Sequence, residues 1–126
     1  MPATPRDHAA ERYGYLTTTG RVSGLPREIE IWFAVPPGDG RTLYLMAGSG
    51  ARAQWVRNLR RDPTVTMRLG DDTYRGRARV IAPDAPEDAV VRRLLCGKYE
   101  GWREGQPLSE WGRLSLPVAL ELGAGE

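Results

Sequence analysis

The chain has 126 residues, a net charge of +2, one cysteine (Cys96) and one histidine (His8). That is the length of one domain, expected to span 1–126, which buries roughly two-thirds of its unfolded surface and needs no disulfide staple. A lone thiol, no run near the ~18 apolar residues of a membrane span and no apolar leader predict a cytoplasmic protein with no integral membrane segment.

Residues 1–12 are expected to form a mobile or helical N-terminal segment. Residues 15–19 (Tyr-Leu-Thr-Thr-Thr) are aromatic and β-branched and predict a strand. Two glycines and a proline then mark a turn at 20–26. Over 27–35, Ile29, Ile31, Phe33 and Val35 share one face while Glu28, Glu30, Trp32 and Ala34 share the other. This period of two predicts a second strand. A turn at 36–40 leads into a third strand at 42–47, and such short connections imply an antiparallel meander.

Gly48-Ser49-Gly50 introduces a predicted helix over 51–61 that ends at Asp62-Pro63. Ala51, Trp55, Val56 and Leu59 make its apolar stripe, with Arg57, Arg60 and Arg61 on the far side. Asn58 borders the stripe, where a polar group needs a partner. Strands at 64–69 and 73–81 form a hairpin about Gly70-Asp71-Asp72. Tyr74, Gly76, Ala78 and Val80 point inward from the second of these, and Arg75, Arg77 and Arg79 outward.

Asp84 and Glu87 predict a capping box for a second helix running to about residue 99. Residues 101–112 read as a polar loop holding Trp102 and Trp111, and 116–122 as the last strand. The fold class is therefore mainly β with two helices, its six strands arranged as a closed or nearly closed barrel.

Conventional catalytic sets are missing from the sequence. With His8 in the N-terminal segment, no histidine base is expected near the body of the fold. One Cys and one His make no zinc cluster, and no Gly-x-Ser-x-Gly elbow, Walker loop or Gly-x-Gly-x-x-Gly turn is present. Glu28 and Glu30 share a strand face, which describes a solvated pair as readily as a catalytic one. An enzyme built this way leaves the chemistry to a cofactor.

Two segments could hold an anion. The first is 17–27, with Arg21, Arg27, hydroxyls and glycines around one turn; the second is 48–52, leading into a helix N-terminus. Each is also readable as an ordinary turn or helix cap. Lys98 is the one lysine against seventeen arginines. GC-rich codons explain that bias as well as selection for bidentate anion contacts does, and only position separates the two.

The runs Leu16-Thr17-Thr18-Thr19-Gly20-Arg21-x-Ser23-Gly24-x-Pro26-Arg27, Trp55-Val56-Arg57-Asn58-Leu59-Arg60-Arg61-Asp62-Pro63-Thr64-Val65 and Trp111-Gly112-Arg113-Leu114-Ser115-Leu116-Pro117-Val118 resemble the deazaflavin-dependent nitroreductases, also called F420H2-dependent quinone reductases. The resemblance covers about 13–122. It implies the split β-barrel of flavin-binding, pyridoxamine-phosphate-oxidase-like proteins, and coenzyme F420 as cofactor. By position it gives Arg21, Ser23 and Arg27 the phosphate and acidic tail. It puts Ser49 close to the deazaflavin ring, with Trp55 and Asn58 nearby. Val22 stands where many relatives carry lysine, and Arg52 offers a charge where some have a longer, lysine-containing loop.

For the acceptor side, Trp32, Tyr99 and Trp102 are the expected pocket aromatics, with Tyr99 or water as the proton source. The implied reaction passes hydride from reduced F420 to a small electron-poor acceptor: a quinone, nitroaromatic or enone. A lipid quinone would make the protein peripheral to a membrane. A homodimer is compatible with this reading. The rivals are an FMN-dependent enzyme of the same fold, its phosphate on the same arginines, and a non-catalytic F420 carrier. A nucleic-acid binder would rest on a pI near 9.0 and the Arg75-Arg77-Arg79 row, but the small net charge and absent recognition motifs argue for no nucleic-acid partner.

Overall fold

The computed structural model describes residues 3–38 and 40–123. Residues 1–2 of the expected N-terminal segment, position 39 of the turn at 36–40 and the last three residues of the expected domain lie outside the described residues. Among the described residues six strands form one sheet: β1 (Gly14–Thr19), β2 (Pro26–Ile31), β3 (Thr42–Ala47), β4 (Thr64–Leu69), β5 (Asp72–Val80) and β6 (Leu116–Leu122). Three α-helices accompany them there: α1 (Gln54–Arg61), α2 (Pro86–Glu100) and α3 (Glu110–Leu114). The strand order is β2-β1-β4-β5-β6-β3, with every pairing antiparallel. Just past β2, Ala34 bridges to Tyr44 of β3, so the two edges of the sheet meet and the sheet curls into a half-barrel.

Alternation decides which side chains fill the curl. Leu16, Phe33, Met67, Tyr74 and Leu120 are fully buried inside it. At Gly76 a Cβ would collide with the Glu121 backbone, so β5 and β6 close there only around glycine. The outer face of β3 carries a second core, where Tyr44 and Met46 pack under Val91, Leu95 and Cys96 of α2. Trp32 joins this outer cluster while Ile29 and Ile31 pack on the inner one, as their alternation predicts.

Several expectations need correction. The helix expected over 51–61 starts at Gln54, because Gly50–Arg52 forms a separate 3-10 turn with Gly50 at φ 63°. β2 stops at Ile31 instead of 35. The capping box at Asp84 and Glu87 does not form: α2 starts at Pro86 behind Ala85, and Glu87 pairs with Arg79 at 2.7 Å and accepts from the Tyr44 hydroxyl at 2.6 Å. The polar loop contains a third helix, α3, capped by Ser109, whose Oγ accepts from the Gly112 N–H at 3.0 Å. Five residues are too few to show a helical period.

Of the two forms expected for the N-terminal segment, the described residues 3–12 show the helical one, as a 3-10 turn that contacts the sheet. The Pro5–His8 turn places His8 Nε2 2.7 Å from Asp72 Oδ2, and Arg6 donates to the Pro36 carbonyl at 3.0 Å. The histidine thus lies against the body of the fold, with its ring edge-on to Tyr74. Among the described residues no helix is long and apolar enough to cross a membrane.

Candidate functional site: a cavity between the β1–β2 turn and helix α1

The β1–β2 turn is built from its own backbone. Gly20 N–H donates to Leu25 O and Gly24 N–H to Gly20 O, both at 2.8 Å, and Gly24 takes a φ of 73° that side chains disfavour. A Cβ on Gly20 would stand 2.7 Å from Ser23 Oγ, so glycine is what admits that hydroxyl. Ser23 Oγ then accepts from Leu25 N–H at 3.1 Å and from Arg27 Nη2 at 3.4 Å.

Asn58 locks the turn to α1. Its side chain is only 5% exposed. Its Oδ1 accepts from the Arg21 backbone N–H at 3.2 Å and from Arg21 Nη1 at 2.9 Å, and its Nδ2 donates to Thr18 Oγ1 at 3.2 Å. The partner that a polar group beside an apolar stripe requires is therefore the arginine turn itself.

Turn and helix enclose a cavity of about 640 Å³, lined by Arg21, Ser23, Arg27, Trp55 and Asn58 among others. Five of the seven residues expected at the cofactor are thus brought together. Ser49 and Arg52 are not: both are exposed on the 3-10 turn before α1, and neither lines this cavity. The dipole of a full helix does not start there, so the second expected anion site loses its physical basis. A shallower cavity of about 410 Å³ shares Arg21, Val22 and Ser23 and continues to Arg61. Glu28 and Gln54 also line the main cavity. Sequence reasoning passes over Gln54; the signal available is its place one turn before Asn58 on the same helix face.

The expected acceptor aromatics lie elsewhere. Trp32 lines a separate cavity of about 250 Å³ with Tyr13, Glu30, Met46 and Trp111. Tyr99 stacks on Trp32 at 4.3 Å with the rings parallel to 1°, and Trp111 meets Trp32 edge-on at 5.3 Å. Trp102 packs into the outer core and donates its Nε1–H to Gln106 O at 2.9 Å. Neither Tyr99 nor Trp102 lines either cavity. The Tyr99 hydroxyl accepts from Phe33 N–H at 3.0 Å and stands 2.9 Å from Arg12 O. Burial also pushes its pKa up. The proton and the acceptor side of the Tyr99 hydroxyl are thus both engaged by backbone.

Lys98 enters here without any signal in the sequence pattern. It is half-buried, its Nζ donates to Phe33 O at 3.0 Å, and burial pulls its pKa down to about 8. Of the outward arginine row, Arg79 is taken up by Glu87 and Glu121 at 2.7 and 2.9 Å.

The donor set of the main cavity suits a phosphorylated cofactor. Its lining carries two guanidinium groups and a hydroxyl. Among the described residues, Arg27 spends only its long contact to Ser23, so most of its fork remains for an anion. The same lining offers the Trp55 indole and Ile29 as apolar wall, and the volume is that of an ordinary ligand site.

The model of the family described as F420H(2)-dependent quinone reductase matches residues 9–119. The chain belongs to that family. It is an F420-dependent oxidoreductase, its cofactor is coenzyme F420, and between F420 and FMN the family decides for F420. No curated protein sequence matches this reductase. Among solved structures, an F420-H2 dependent reductase is 24% identical at a TM-score of 0.66, covering 88% of this chain and 95% of that one. A conserved hypothetical protein from Mycobacterium tuberculosis is 26% identical at a TM-score of 0.67, over 90% and 74% of the two chains. A putative pyridoxamine 5'-phosphate oxidase from Listeria innocua shares the fold at a TM-score of 0.66, with 17% identity over 94% and 90%.

Proposed function

We propose that the reductase holds F420 between the β1–β2 turn and α1 and reduces a flat, electron-poor acceptor that docks beside Trp32, in the cavity that adjoins the first along β2, where Glu28 and Ile29 line one and Glu30 and Ile31 the other. The acceptor class is a quinone, nitroaromatic or conjugated enone. The observation that carries the reading is the convergence of Arg21, Ser23, Arg27, Trp55 and Asn58 on one cavity.

Each residue then has a distinct task. Arg27 and Ser23 supply charge-assisted and neutral donors to the phosphate, while Asn58 spends its carbonyl on holding Arg21 in place. Trp55 gives the ring an apolar neighbour, and the shallower cavity running to Arg61 offers the acidic tail a cationic path. When bound in its reduced form, F420 supplies the hydride. An electron-poor π system takes up negative charge without a strong acid beside it, and with the Tyr99 hydroxyl engaged by backbone the closing proton comes from water. Trp32, braced by Tyr99 and Trp111, offers the acceptor a rigid face to lie against.

The test is a fluorescence titration with F420 and with FMN, followed by turnover of reduced F420 against a panel of quinones, nitroaromatics and enones. Tighter binding of F420 and oxidation by at least one acceptor class are expected. Tighter binding of FMN would overturn the cofactor site, and tight F420 binding with no turnover would return the carrier reading.

A further inference from the structure

We propose that Lys98 and Tyr99 are positioning residues of the acceptor site, which hold the backbone on both flanks of the Trp32 cavity and so set its width. This rests on the reading that the acceptor docks beside Trp32. The sheet ladder lapses where that wall is made. β2 ends at Ile31, and the chain rejoins the sheet only at Ala34, whose N–H and C=O pair with Tyr44 at 3.0 and 2.8 Å. Trp32 and Phe33 fall in the gap, and Phe33 is fully buried. Buried backbone groups left without partners there would be costly.

Side chains of α2 replace the missing strand. Phe33 N–H donates to Tyr99 Oη and Phe33 C=O accepts from Lys98 Nζ, both at 3.0 Å. The ammonium also lies 3.7 Å from the Phe33 ring centroid and 5.0 Å from that of Tyr99. A hydroxyl has one proton to give. Phe33 O lies 3.0 Å from Tyr99 Oη and Arg12 O 2.9 Å, and the shorter contact assigns the Tyr99 proton to Arg12 O. One hydroxyl thereby ties together two distant stretches of backbone.

The sequence neighbours of those two backbone sites are the cavity's walls. Tyr13 follows Arg12 and Trp32 precedes Phe33, and both line the 250 Å³ cavity. The Tyr99 ring, stacked flat on Trp32, adds a second constraint from the same residue. Loosening either bond changes the spacing between Tyr13 and Trp32 without touching the arginine turn or α1.

The test measures steady-state oxidation of reduced F420 by menadione in Lys98→Met, Tyr99→Phe and Trp32→Ala, beside a separate F420 titration of each. Tyr99→Phe keeps the stacked ring and removes only the hydroxyl, which protects the test should Lys98→Met fold poorly. Lys98→Met and Tyr99→Phe are expected to raise the menadione KM about three- to tenfold, the scale of one lost hydrogen bond, with kcat and F420 affinity changed less than about twofold. Near-UV circular dichroism should change in both variants while the far-UV spectrum stays, reporting a shifted Trp32. If Trp32→Ala raises KM and the other two do not, the clamp is overturned and the acceptor site stands. If none of the three moves KM, the acceptor site falls and the clamp with it. A fall in F420 affinity that parallels the rise in KM in Lys98→Met or Tyr99→Phe means a general structural role and also overturns the proposal.

Discussion

Arg21 and Asn58 are joined twice through one oxygen: Asn58 Oδ1 accepts both the backbone N–H and a guanidinium N–H of Arg21, at 3.2 and 2.9 Å. The arginine that lines the main cavity is thus aimed before any ligand arrives. Pre-aiming lowers the entropy that binding must overcome.

Replacing Asn58 with leucine removes both acceptor contacts and leaves Thr18 Oγ1 without its donor. F420 affinity should fall about tenfold or more, and unfolding free energy by about 1–3 kcal/mol, the scale of a disrupted buried hydrogen-bond set. Titration and thermal melts read the two separately. Unchanged affinity would mean that Arg21 finds its position without Asn58.

Arg27 and Arg52 should behave differently although both are exposed arginines near the site. Arg27 lines the cavity and Arg52 does not. Arg27→Ala is expected to weaken F420 binding by about 1.5–3 kcal/mol at low salt, with the loss shrinking as ionic strength rises. Arg52→Ala should stay within about 0.5 kcal/mol of wild type, as surface changes usually do. The reverse order in salt-controlled titrations would return Arg52 to the anion site.

His8 makes the docking of the N-terminal segment depend on pH. Burial pulls its pKa down, but the bonds to Asp72 and Glu11 outweigh that and hold it above the ordinary 6.5. A raised folded pKa means that the folded state binds the proton more tightly than the unfolded one. The stabilisation is therefore full below pH 6.5 and is lost as pH rises through the folded value. Melting temperatures measured from pH 5 to 9 (an interval set to bracket a histidine of roughly ordinary pKa) should fall with rising pH more steeply in wild type than in His8→Ala. Equal slopes would remove His8 from the docking contact.

Gly76 is the position where the barrel tolerates no side chain. A Cβ there collides with the Glu121 backbone opposite, and neither strand can yield without breaking the β5–β6 ladder. Gly76→Ala should cost about 2–4 kcal/mol of stability, well above the typical core substitution, and urea melts would read it. A change below about 1 kcal/mol would show that β6 shifts freely.

Much of this protein is legible in local sequence pattern. The alternation of Ile29 and Ile31 against Glu28 and Glu30 marks a strand and its two faces, since a strand's side chains alternate whatever packs on them, although the strand ends at Ile31 and not at 35. The 17–27 run, with two arginines about flexible glycines, marks the turn that lines the main cavity, and the family motifs add the cofactor. Asn58 is visible as a polar residue in need of a partner. What local pattern does not supply is the partner's identity, because Arg21 lies thirty-seven positions away and is brought there by the fold. The same holds for Ser49 and Arg52: composition makes them plausible, and the 3-10 turn that breaks the helix before Gln54 keeps them away from the cavity. In the sequence Tyr99 reads as chemistry and Lys98 as nothing at all. Only tertiary packing, which leaves the Phe33 backbone outside the sheet ladder and sets α2 beside it, gives both side chains their work.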